Sequence, residues 1–198
     1  MDEDDADIEG YDPDLPEYRR LTAMAKFAHG IPNTPWFSRV GQALTKADTE
    51  MALAYLGALG FPDAHVSGVE SWDEAAGIAE NPDWNSTWWE AEEQLRAGLV
   101  TEASTEIDEG DLTNMLNHIA GQAAGVATEV VSGAAINAGY DDDAFVTAAS
   151  GAMVAACYTA GLVLAAGAEE DHPFALKFHL LEAGRFPLGV VGTTFSLF

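Results

Sequence analysis

Residues 144–168 hold no charged side chain, in a chain that is dense with carboxylates almost everywhere else. A stretch of that length has to be buried in protein or in lipid. Its content is mostly Ala, Gly, Ser and Thr, with few large apolar groups. Acids flank it on both sides, at 141–143 and 169–171, so no basic anchor sets a membrane topology. These features argue against a membrane span and for a close-packed helix inside a folded domain. A second stretch, 109–138, has the same small-residue character, and Gly139 with Tyr140 makes a turn between the two. The acids at 141–143 supply an N-cap and favourable charge for the second helix. Small residues recur at three- and four-residue spacing: Gly121, Ala124, Gly125 and Thr128, then Ala148, Gly151, Ala152 and Ala155. Such stripes let helix backbones approach closely. Gly121, Gly125 and Gly151 are therefore the expected helix–helix contacts, within one chain or between subunits.

The charge sets the environment. There are 33 Asp and Glu against 8 Lys and Arg, a formal net charge of −25. A disordered acidic chain would lack the 48% hydrophobic content found here. The combination describes a folded protein with a solvating carboxylate surface, as expected of a halophilic, salt-adapted cytoplasmic protein. At molar salt the Debye length is about 3 Å, so the self-repulsion is largely screened. Eight scattered cations cannot release many counterions, so no nucleic-acid partner is expected. The start of the chain, Met1, Asp2, Glu3, Asp4, Asp5, is the opposite of a basic, then apolar, secretory signal.

Residues 1–17 carry nine acids and read as an acidic N-terminal tail, leaving 18–198 as one domain. Leu21, Met24, Ala25 and Ala28 fall at helical spacing up to Gly30 and Pro32. Thr34 followed by Pro35 predicts a short helix to about Leu44. Thr45 with Asp48 is a capping-box start, followed by Met51, Tyr55 and Leu59 on one face. Residues 61–70 read as a loop, and Ser71 with Glu74 opens a short helix. Asp83 is the expected start of the next helix. Trp84, Trp88, Leu95 and Leu99 trace its apolar stripe, with Trp89 just beside it and Glu90, Glu92 and Glu93 on or near the other side. Asp171 is the expected cap of a last helix, with Phe174, Phe178 and Leu181 apolar, ended by Gly184 and Pro187. The remainder, to Phe198, is β-branched and aromatic and suits an extended segment. An exposed apolar tail is a liability, so Phe195 and Phe198 are expected to be covered by this chain or by a partner.

Candidate chemistry is sparse. A ferritin-like carboxylate centre needs two Glu-x-x-His pairs. Only Glu169 with His172 has that spacing, and His179 with Glu182 has the reverse. No metal is therefore expected. His118 lies in a polar patch with Asn114, Asn117 and Gln122. No Gly-x-Ser-x-Gly, phosphate loop or Gly-x-Gly-x-x-Gly occurs, so no cofactor is implied. Cys157 stands alone among small residues, which describes an inert core thiol. Trp84, Trp88 and Trp89, with Trp36 or Trp72, are able to line an aromatic pocket, although such stripes also build ordinary cores.

The resulting expectation is an all-α, single-domain helical bundle with an extended apolar C-terminal segment. Its expected function is association, as a homo-oligomer or with a protein partner, through the small-residue helices and through Phe195 and Phe198. The alternative is a small enzyme or ligand-binding bundle with a polar centre drawn from His118, Glu129, His179 and Glu182.

Overall fold

The computed structural model describes residues 15–198. The acidic tail, apart from its last three residues, lies outside that range. Pro16 and Glu17 already belong to the first helix, with proline in its first turn.

The fold is mainly α-helical. Its helices are α1 (Pro16–Gly30), α2 (Lys46–Leu59), α3 (Trp72–Ala79), α4 (Ser86–Glu106), α5 (Glu109–Asn137), α6 (Asp143–Ala166) and α7 (Pro173–Glu182). A 3₁₀ turn, Ile31–Asn33, follows α1. Three short strands complete it: β1 (His65–Gly68), β2 (Pro187–Val191) and β3 (Thr194–Leu197). They form one small sheet in the order β1-β3-β2, with β1 parallel and β2 antiparallel to β3.

The long pair α5 and α6 is the spine. Leu112, Leu116, Ile119, Ala123, Ala127, Val131 and Ala135 of α5 are buried and repeat every three or four residues. Phe145, Ala149, Met153, Cys157 and Ala160 do the same on α6. Thus the two helices meet through a mixed large-and-small seam. The close approach comes at Gly161, where an added Cβ would stand 2.7 Å from Ile119 Cδ1. The small-residue stripes expected to make this contact point elsewhere: Gly121, Ala124, Gly125 and Thr128 are exposed, as are Ala148, Gly151, Ala152 and Ala155. Both helices are long and apolar enough to cross a bilayer, and 50% of the apolar stretch of α6 is buried against its own chain.

The expected helix between Pro35 and Leu44 is replaced by irregular turns, and Phe37 adopts φ 56°. Backbone groups of the segment bond outside it, the Arg39 amide donating to the Gly184 carbonyl at 3.0 Å. Arg185 donates to the carbonyls of Arg39, Gln42 and Ala43 at 2.6–2.7 Å. Long-range bonding overrides local propensity here. The segment read as a loop at 61–70 contains β1, which exists because β3 offers it a partner across the fold.

The C-terminal segment is covered by its own chain. β2 turns at Gly192 (φ 58°) into β3. Phe195, Leu197 and Phe198 are fully buried. Phe198 packs edge-on against Trp72 at 5.2 Å, and Phe195 against Tyr55 at 5.5 Å. The apolar tail is satisfied by the sheet and the core beneath it, so Phe195 and Phe198 present no surface to a partner in this fold.

Candidate binding cleft

The sequence-derived polar centre does not assemble. His118 and Glu129 are both exposed on α5, and eleven residues of helix separate them by about 16 Å along the axis. His179 and Glu182 are exposed on α7 and pair with each other at 2.7 Å. His172 caps α7 in place of Asp171, its Nδ1 accepting from the Phe174 amide at 3.2 Å. Among the described residues no group of three or more His, Cys, Asp or Glu side chains is placed to hold a metal ion. Burial pushes the Cys157 thiol up to about 12, which leaves it protonated and unreactive.

A polar centre does form, from other residues. Tyr55 on α2, Trp88 and Glu92 on α4 and Lys177 on α7 meet around one carboxylate oxygen. Tyr55 donates its hydroxyl proton to Glu92 Oε1 at 2.7 Å and accepts from the Trp88 indole at 2.9 Å. Lys177 Nζ donates to the same Oε1 at 2.6 Å. The ammonium also lies 5.3 Å from the Trp88 ring and 5.9 Å from the Tyr55 ring, within cation–π range. Tyr55 is fully buried, and burial together with the neighbouring Glu92 carboxylate pushes its phenol well above the ordinary value. The phenol therefore stays neutral, as a fixed donor rather than a titrating acid.

Trp88, Glu92 and Lys177 of this network line a cleft of ≈ 850 Å³, with Tyr55 buried behind them. Trp84, just before α4, and Trp88 and Trp89 of its first turn line one part, and Phe174, Lys177 and Leu181 of α7 another. Phe186, Pro187 and Leu188 close one end. The floor is Gly151, Ala152, Ala155 and Ala156 of α6. The small stripe expected to seat a helix instead keeps this cleft open. Of the sequence candidates for a pocket, Trp84, Trp88 and Trp89 line it, whereas Trp36 and Trp72 belong to the main core.

The tryptophan side is held rigidly. Asn85 caps α4 by accepting from the Trp88 amide at 2.9 Å, not Asp83 as expected. The Asn85 side chain also donates to the Gly192 carbonyl at 2.8 Å, and its amide donates to the Val190 carbonyl at 3.0 Å. The helix start is thereby stapled to the β2–β3 hairpin. Gly189 of β2 (φ 131°) faces Trp84 and Trp88, and any Cβ there would collide with both rings. Trp84 stacks on Trp88 with centroids 6.3 Å apart, while Trp89 stands 59% exposed at the rim.

Glu92, expected on or near the polar side of α4, is buried. The signal was in the spacing. Glu92 lies four residues after Trp88 and three before Leu95, on the apolar stripe itself. Lys177 is likewise three after Phe174 and four before Leu181. An acid and a base each in phase with a buried stripe require partners, and here they are each other's.

Compared with known proteins, the chain matches no family model, and no curated protein and no solved structure matches it.

Proposed function

We propose that this protein binds a small molecule in the cleft between α4, α6 and α7. The observation that carries the reading is the joining of an open, mostly apolar cavity of ≈ 850 Å³ to the Glu92–Lys177 pair in its wall, backed by the hydroxyl of the buried Tyr55. That size is in the usual range for small-ligand sites, and a few fixed polar groups in apolar walls are what orients a ligand. The reading is supported by the pairing of the charged groups in the lining, Glu92 with Lys177 and Glu93 with Arg96, which hold each other in place. The reading keeps the salt-rich cytoplasm as its setting, on the strength of the −25 charge. A thermal-shift survey of small molecules at molar KCl tests it, with Ala155→Leu as a control whose side chain fills the floor. Compounds that raise Tm in the native chain and not in Ala155→Leu support the reading; a survey with no such difference refutes it.

A second reading, self-association, is favoured by one face of α5. Gly121, Ala124, Gly125 and Thr128 are exposed there, and between Leu112 and Tyr140 the only acid or cationic Lys or Arg is Glu129. Two copies at −25 repel wherever carboxylates meet, so a charge-poor face is where a second copy approaches at least cost. Light scattering of the native chain and of Gly125→Glu at molar salt decides it: a native dimer lost in the variant supports the reading, and a native monomer ends it.

A further inference from the structure

We infer that the ligand of the cleft is a neutral, apolar molecule carrying a single hydroxyl or carbonyl head group, seated against Lys177 and Glu92. The inference rests on the binding reading above and adds the chemical class.

Charge balance is the first argument. The cleft holds two carboxylates and two cations, and they are paired: Glu92 with Lys177, and Glu93 with Arg96 through two hydrogen bonds. Local neutrality is notable on a chain with a net charge of −25. A ligand with an anionic head would compete with Glu92 for Lys177, and would leave a buried carboxylate without its cation. A cationic head would displace Lys177 and leave the ammonium unpaired beside aromatic rings. Stripping a partner from a buried ion pair is strongly unfavourable. A neutral head breaks neither pair.

The second argument is donor geometry. An ammonium has three protons, and one is directed to Glu92 Oε1. A hydroxyl or carbonyl oxygen is able to accept from Lys177 while the ion pair persists, and a hydroxyl is also able to donate to the Glu92 carboxylate. Side-chain exposures of 20% for Lys177 and 11% for Glu92 leave both groups reachable from the cleft. The rest of the surface asks for hydrocarbon. Phe174, Leu181, Phe186, Leu188 and the small residues of α6 offer no side-chain hydrogen bond, and of the other polar side chains in the lining Asn85 is spent on Gly192 and Trp88 and Thr159 donates to Ala156, which leaves Ser86.

The test uses three probes with one tail and three heads: 1-octanol, octanoate and octyltrimethylammonium, titrated by tryptophan fluorescence in about 2 M KCl. At that ionic strength the long-range field of the chain is screened, so the comparison reads the site itself. Octanol is expected to bind at least tenfold more tightly than either ion, and to lose that binding in Ala155→Leu. Two variants invert the order. Glu92→Gln leaves Lys177 uncompensated and is expected to favour octanoate. Lys177→Met leaves Glu92 uncompensated and is expected to favour octyltrimethylammonium. If an ion binds the native chain as well as octanol does, the neutral class is wrong while the cleft remains a binding site. If no probe binds, or Ala155→Leu binds all three as the native chain does, the binding reading itself falls. Either variant alone suffices for the inversion: if one fails to fold, the other reads it, and unchanged order in a folded variant overturns the head-group assignment.

Discussion

Arg185 and Asp48 lie 137 residues apart in sequence, are both fully buried, and meet at 2.9 Å. Around that contact Arg185 also takes the carbonyls of Arg39, Gln42 and Ala43, and Arg39 holds both Asp48 oxygens at 2.7–2.8 Å. Asp48 is at the same time the capping-box acid of α2, accepting from the Thr45 amide. One guanidinium therefore fixes the 39–43 turns, the start of α2 and the entry to β2. Removing one partner of such a buried pair costs about 3–5 kcal/mol. Arg185→Met is expected to lower Tm by roughly 10 °C at fixed salt, on the usual scaling for a chain of this size. A scan within about 2 °C of the native value would show that the pair contributes little.

The same carboxylate gives an acid signature. Burial by itself raises the Asp48 pKa, but the Thr45 amide, Arg185, Arg39 and the Thr45 hydroxyl outweigh it and hold the group well below the usual carboxylate value. A depressed folded pKa means that the unfolded chain binds the proton more tightly. The stabilisation is therefore complete above the ordinary aspartate value near 4 and is lost as pH falls below it. In Asp48→Asn that contribution is absent at every pH. The difference in Tm between native and variant should narrow as pH drops from about 5 towards 2. A constant difference over that interval would separate Asp48 from the acid transition.

His172 works in the other pH range. Its Nδ1 accepts from the Phe174 amide as the cap of α7, the helix that carries Phe174, Lys177 and Leu181 into the cleft. Burial lowers its pKa, opposed by Glu102 of α4 and by Asp171. Protonation converts the accepting nitrogen to a donor and removes the cap. Because the folded pKa is lowered, stability is full above the ordinary value near 6.5 and declines as pH falls below it. His172→Asn caps without titrating. Native Tm is expected to fall faster than that of the variant between pH 7.5 and 5.5, and parallel curves would exclude the cap as the titrating element.

The helical architecture was legible because its signals are local. The capping box at Thr45 and Asp48, the Ser71 start and the long uncharged α6 all stand where spacing put them. What was missed depends on distant partners. The 35–44 segment has helix-compatible residues, but its carbonyls are bonded by Arg185 from the far end of the chain. β1 needs β3, 129 residues away at His65 and Thr194. Gly121 and Gly151 were read correctly as small-residue stripes, but periodicity cannot say which of two apolar faces meets a neighbour. The larger side chains won, since Leu, Ile, Phe and Met remove more apolar surface from water than Gly and Ala do. The candidate centre is half visible in the sequence: the tryptophan spacing points to Trp84, Trp88 and Trp89, whereas Glu92 reads as one of three acids on or near the polar side although it lies in register with Trp88.

The final prediction concerns salt. The −25 charge is carried on the same chain whose described ion pairs involve only a few carboxylates, such as Glu92, Glu93 and Glu106. Among the described residues, most of the carboxylates are in no ion pair and depend on solvent and counter-ions for compensation. In dilute buffer their mutual repulsion opposes the compact state, and the Debye length shortens from about 10 Å at 0.1 M to about 3 Å at 1 M. Helical circular dichroism is expected to rise between about 0.1 M and 3 M KCl. The Tyr55–Glu92–Lys177 centre is buried and screened less than the surface, so once folded it should respond little to further salt. Two readouts separate the effects: far-ultraviolet signal for the fold, and Trp88 and Trp89 fluorescence for the cleft. Full helicity already present in dilute buffer would show that core burial alone outweighs the surface charge, and the salt-adapted reading would have to be abandoned.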